Sequence, residues 1–100
     1  MTCSDKLKKL PILGENSPKQ MEAFMAFGKV AFEEGAIPVK YKELIGLGVA
    51  LTTQCTYCLD LHKENAIAAG ATAEEISEAA FVAAAIRAGG AVTHATHLID

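Results

Sequence analysis

A chain of 100 residues, 51% hydrophobic and with a formal charge of −3, fits one globular domain better than two. No basic cluster is present, which argues against nucleic acid and anionic membrane as partners. Apolar stretches are broken by Glu, Lys, Arg or Gly short of the roughly 20 residues of a membrane span, and no basic start with an apolar run marks a signal peptide.

Three cysteines are too few and too unevenly placed for a secreted disulfide framework, so a cytoplasmic location is expected. The apolar fraction is high for so short a chain, since small domains bury a modest share of their surface. That excess predicts a subunit burying its faces against copies of itself, although many of these residues are alanines of small area.

Residues 1–16, with Pro11 and Gly14, read as an irregular or briefly helical lead-in, and Cys3 within it as a free surface thiol. Ser17-Pro18-Lys19-Gln20 has the form of a capping box with Pro at the first helical position. The helix it opens is predicted to run to about Glu34, burying Met21, Phe24, Met25 and Phe32, and to stop at Gly35. Pro38 opens a second helix to about Thr52. Tyr41, Leu44, Ile45, Leu47, Val49 and Leu51 cover it almost all round and predict a central position, with Gly46 and Gly48 permitting close packing.

A third helix is predicted from near Cys55 to Gly70. Thr72-Ala73-Glu74-Glu75 is a second capping box, opening a helix with Ile76, Ala79, Ala80, Ala83 and Ile86 on one face. Gly89-Gly90 should interrupt it, leaving Ala91–Ile99 as a last short helix. No stretch reads as a strand. The expectation is an all-α single-domain bundle of about five helices, with residues 17–100 as the helical domain.

The chemistry concentrates in Gln54-Cys55-Thr56-Tyr57-Cys58-Leu59-Asp60-Leu61-His62. A metal clamp, a structural disulfide and a redox dithiol all fit two cysteines and a histidine at this distance. At 100° per residue, Cys55, Cys58, His62 and Ala66 share one helix face, with Cys55 at the helix start, where unpaired N–H groups stabilise a thiolate. His62 lies one turn beyond Cys58, within reach as a proton partner. One helix earlier, Glu43 shares a stripe with Val39, Gly46, Leu47 and Ala50. It reads either as a surface carboxylate paired with Lys40 or Lys42, or as a buried general base with a raised pKa.

Tyr41-Lys-Glu-Leu-Ile, then Cys55-x-x-Cys58-x-x-x-His62, then Ala69-Gly70-Ala71-Thr72-x-Glu-Glu-Ile resembles the alkylhydroperoxidase D-like branch of the carboxymuconolactone decarboxylase superfamily. That branch carries a Glu, eleven intervening residues and C-x-x-C-x-x-x-H, a pattern met by Glu43, Cys55, Cys58 and His62. The resemblance spans roughly residues 17–98. It implies an all-helical fold in oligomers, often trimers or hexamers, with the site near a subunit contact. It also implies peroxide or disulfide chemistry at Cys58 and Cys55 with proton relay by Glu43 and His62, without a cofactor, drawing on an unidentified dithiol reductant. Where the alkylhydroperoxidases proper tend to carry a His before the later Cys, this chain has Tyr57; the superfamily's decarboxylases lack the cysteine pair, which argues against lactone decarboxylation.

Two other readings compete: a redox-responsive interaction or scaffold subunit with little turnover, and a structural zinc protein using Cys55, Cys58, His62 and either His94 or His97. The spacing on one helix is not a usual zinc-finger spacing. His94 and His97 read more simply as polar residues at the end of the last helix, and Tyr41 and Tyr57 as packing or as a pocket wall.

Overall fold

A computed structural model describes residues 8–100, and Cys3 lies outside the described residues. Helix α1, Leu10–Asn16, sits within the stretch read as the lead-in, and Ser17 joins it to α2, Pro18–Phe32. The expected cap at Ser17 is absent, because its side chain makes no hydrogen bond to the helix start. Pro18 opens the helix instead, with its fixed φ and no N–H to satisfy. Helix α2 ends two residues earlier than predicted, where Glu33 turns extended.

Helix α3, Val39–Thr53, starts at Pro38. Its free Val39 N–H donates to the Glu34 carboxylate at 2.7 Å, and Lys42 Nζ donates to the Glu33 carbonyl, so the connection from α2 is held at both ends. Gln54 then takes a left-handed conformation, φ 57°, and Cys55 N–H closes back on the Ala50 carbonyl at 3.1 Å. Arg87 Nη1 satisfies the Thr52 carbonyl at 2.7 Å. This reversal leaves only two residues before α4, Thr56–Ala68. A similar reversal ends α4, with Gly70 at φ 97° and Ala71 N–H bonded to the Ala66 carbonyl at 2.9 Å.

The capping box predicted at Thr72 forms in full: Thr72 accepts from Glu75 N–H, and Glu75 accepts from Thr72 N–H. Helix α5, Ala73–His94, runs through Gly89-Gly90 without interruption and passes into a 3₁₀ turn, Ala95–Leu98. Each Gly costs about 1 kcal/mol against Ala, too little to break a long helix with alanines on both sides. No strand occurs among the described residues.

Helix α3 is central, packing on α4 and α5 and meeting the end of α2, while α1 packs on α2. Lys40 ties α3 to the start of α5 through Glu75 at 3.0 Å. The core is small. Leu47, Ala66 and Ala71 form it, with Leu44, Leu59 and Ile76 against them, and no large side chain among the described residues is fully enclosed. The burial predicted in α2 occurs in part: Met21 and Phe32 are half-buried, whereas Phe24 is 66% and Met25 62% exposed, on a face that no described element covers. Ile45 and Val49 of α3 and Phe81, Val82 and Ile86 of α5 are exposed as well.

The chain therefore shows 7764 Å² of surface, against about 5,400 Å² for a monomeric protein of this mass. Its radius of gyration is 16.7 Å, against about 13 Å for a compact domain of 100 residues. By length and composition, Ala73–Leu98 would be long and apolar enough to cross a membrane, contrary to the sequence reading. Alanine supplies much of that hydropathy, and the helix packs along α3 with Ala83 buried between them.

Candidate active site

The left-handed turn at Gln54 delivers Cys55 directly to the N-cap position of α4, where its Sγ accepts from Cys58 N–H at 3.4 Å. A sulfur at this point receives the positive end of a 13-residue helix. Cys55 and Cys58 are joined by a disulfide, with Cα atoms 5.3 Å apart.

Seven residues beyond Cys55, the same helix brings His62 against α3. Its Nδ1 meets Glu43 Oε2 at 2.6 Å, a short hydrogen bond. Glu43 is 5% exposed, so the surface-carboxylate reading fails on geometry: Lys40 pairs with Glu75, and Lys42 is bonded to a backbone carbonyl. With Glu43 holding Nδ1, the imidazole presents Nε2 for proton exchange. Phe32, the last residue of α2, stacks on the imidazole at 4.9 Å and 14°, fixing the ring plane. Gly46 lies beneath this stack, where a Cβ would meet the Phe32 ring at 3.4 Å and His62 Cγ at 3.6 Å, ordinary contact that leaves no room for a longer side chain. Gly48, expected to act likewise, has no described atom within 4 Å of such a carbon.

Cys58 and His62 open into a cleft of about 690 Å³ between the end of α2, α3 and α4. Its walls are mostly apolar, including Phe27, Phe32, Ile37, Ile45 and Val49, with Lys42 on one side. Cys55 does not line this cleft, and neither do Tyr41 and Tyr57. A second, almost wholly apolar groove of about 590 Å³ lies between α3 and α5, and Tyr41 forms part of it. Ile45 and Val49 are common to both cavities.

The four residues singled out from the sequence thus form two pairs along the α3–α4 seam, Cys55 with Cys58 and Glu43 with His62, and one member of each pair, Cys58 and His62, lines the same cleft. Sequence reasoning missed three others: Phe32, taken only as core; Gly46, taken only as a packing glycine; and Lys42, taken only as a salt-bridge partner. Gly46 carried a usable signal, lying one turn after Glu43 on the same face. Among the described residues, no three His, Cys, Asp or Glu side chains converge as a metal-binding group. His94 and His97, the suggested fourth zinc ligands, pack edge to face on each other with centroids 4.9 Å apart.

The sequence pattern of the carboxymuconolactone decarboxylase family matches residues 18–100. The chain is 47% identical over 74 residues to uncharacterized protein 4 in the cox locus of Paracoccus denitrificans, covering 74% of this chain and 67% of that one. An uncharacterized protein of Haemophilus influenzae is 43% identical over 54% of this chain and 48% of its own length. A third relative, from Cupriavidus necator, is 35% identical over 66% of this chain and 58% of its own, so these matches span about half to two thirds of the relatives' lengths. In three dimensions, the crystal structure of a protein from Methanobacterium thermoautotrophicum superposes with a TM-score of 0.80 at 36% identity, covering 86% of this chain and 97% of that one.

Proposed function

The chain belongs to the carboxymuconolactone decarboxylase family, and on that premise we propose that it is a thiol-dependent peroxidase, of the alkylhydroperoxidase type, cycling through the Cys55–Cys58 disulfide. The observation that carries this reading is the opening of Cys58 and His62 into one apolar cleft, with Glu43 buried behind the imidazole. Cys58 attacks the peroxide. Its thiolate forms a bond to the terminal oxygen, the O–O bond breaks, and the departing alkoxide takes a proton from His62 to leave as an alcohol. The sulfenic acid on Cys58 then condenses with the Cys55 thiol, releasing water and forming the disulfide, which a dithiol reductant reopens.

Magnitudes explain why a proton relay accompanies the thiols. Lowering a thiol pKa from about 8.5 to 6.5 raises its thiolate fraction at pH 7 roughly 25-fold, while nucleophilicity falls about 8-fold. The net gain of about threefold is small beside the 10²–10⁴-fold that positioned proton transfer typically supplies. This favours the cysteine in the histidine's cleft over the one nearest the helix start. Two features support an oligomer with the site near a contact between copies: the excess surface and the groove alongside the cleft. The resemblance points to a trimer or hexamer, and the cysteine usage to the cytoplasm.

Reduced protein treated with one equivalent of cumene hydroperoxide tests the assignment. Wild type should lose two thiols as an intramolecular Cys55–Cys58 bond. Cys55→Ser should trap a dimedone-reactive sulfenic acid on Cys58, and Cys58→Ser should show almost none on Cys55. The reverse labelling pattern overturns the assignment, and thiols that survive the peroxide overturn the activity.

A further inference from the structure

The described residues hold two ion pairs, Lys40–Glu75 and His62–Glu43, and Lys42 is in neither. Half-buried on the cleft wall, Lys42 spends one donor on the Glu33 carbonyl, and an ammonium has three. The Glu34 carboxylate accepts from the Val39 N–H at 2.7 Å and makes no ion pair with Lys42. Lys42 thus lines a cleft walled by Phe27, Phe32, Ile37, Ile45 and Val49, with its ammonium at the Glu33 carbonyl beside Gly35 and two donors left over. Such a site suits a ligand with an apolar body and one anionic end.

Resting on the peroxidase reading, we propose that Lys42 selects the substrate: an organic hydroperoxide whose apolar chain ends in a carboxylate. The antiparallel pairing of α3 and α4 sets the spacing. Cys55 N–H bonds to Ala50, and His62 bonds to Glu43, so Cys58 lies alongside the segment between them. Lys42 is then five to eight residues of α3 from the level of the sulfur, about 8–12 Å at 1.5 Å per residue. An extended chain gains about 1.2 Å per single bond, so roughly seven to ten bonds separate the carboxylate from the peroxide. The lysine's own reach sets the tolerance. A mid-chain hydroperoxide of a long-chain acid meets this requirement.

The experiment compares single-turnover thiol loss with such an acid, its methyl ester and cumene hydroperoxide, below the concentration at which acid or ester aggregates. In wild type the acid should react roughly fivefold faster than the ester at low salt, an advantage that shrinks as salt rises. Lys42→Met should bring the acid-to-ester ratio to about one, and Lys42→Arg should keep it above one. A wild-type ratio near one, or a ratio unchanged in Lys42→Met, while cumene hydroperoxide still consumes the thiols, overturns this inference alone. Thiols untouched by all three peroxides overturn the peroxidase reading and this inference with it.

Discussion

Replacing Glu43 by Gln separates the charge of the buried carboxylate from its shape. The amide oxygen can still accept from His62 Nδ1, so the heavy-atom contact at 2.6 Å need not be lost. Two things change. An amide nitrogen enters a site where the side chain is 6% exposed, and a buried donor without a partner costs about 1–3 kcal/mol. At about 4–8 °C per kcal/mol for a domain of this size, the melting temperature should fall noticeably while the fold survives.

The second change is chemical. When His62 carries the proton it will deliver, a carboxylate stabilises the imidazolium more than an amide does. Hydrogen bonds to charged groups contribute about 1.5–3 kcal/mol against about 1 for neutral ones, so the difference of about 0.5–2 kcal/mol slows the rate by roughly two- to thirtyfold, with about tenfold near its middle. Complete loss of proton transfer sets the ceiling, at about 10²–10⁴-fold. The assay is single-turnover oxidation of the reduced protein by cumene hydroperoxide, followed by free-thiol titration, with circular dichroism as the control for folding. Oxidation of Glu43→Gln within twofold of wild type, with an unchanged pH profile, would show that the carboxylate only fills space, and the relay would have to be abandoned.

Gly46→Ala should raise the melting temperature by several degrees, because it gains about 1 kcal/mol of helix propensity and its methyl meets Phe32 and His62 at ordinary contact distances. Gly46→Leu should separate Phe32 from His62 and slow thiol oxidation; equal rates for Leu and Ala at this position would refute the stacking argument. The Glu75 carboxyl is held below the ordinary range, first by the Thr72 N–H and then by Lys40. A lowered folded pKa stabilises the fold above the unfolded value and loses that contribution as pH falls through the folded one. Glu75→Gln should therefore flatten the acid limb of stability in thermal melts from pH 7 to pH 3, and an unaltered limb would count against it. Light scattering at micromolar concentration should find an oligomer, and a monomer would contradict the surface argument.

The site was legible largely because its parts are close in sequence or share one helix face. Cys55, Cys58 and His62 lie within one helix and its cap, and their common face follows from the 100° step alone. The placement of Glu43 did not follow from its own neighbours, since a carboxylate in an apolar stripe reads equally as snorkelling toward Lys40 or Lys42. Only the pairing of α3 with α4 decides, by putting His62 over it. Phe24 and Met25 mark the opposite failure: apolar periodicity identifies a face that needs covering, but not whether the cover belongs to the same chain. At Gly89-Gly90, local propensity lost to helix length and the alanines on either side. The joint at Gln54 gave no warning, because left-handed residues are usually Gly and occasionally Asn.

Ile45 and Val49 stand on the ridge of α3 with the dithiol cleft on one side and the α3–α5 groove on the other. Natural selection and laboratory evolution meet the same constraint there. On the proposed peroxidase and oligomer readings, a substitution that reshapes the cleft for a bulkier peroxide would also reshape the groove, tying substrate range to assembly through these two side chains. Lineages diverging toward new substrates should change first at Phe27 or Ile37, which line the cleft without touching the groove. Paired changes across the groove, at Val82 or Ile86, should accompany any drift at Ile45 or Val49.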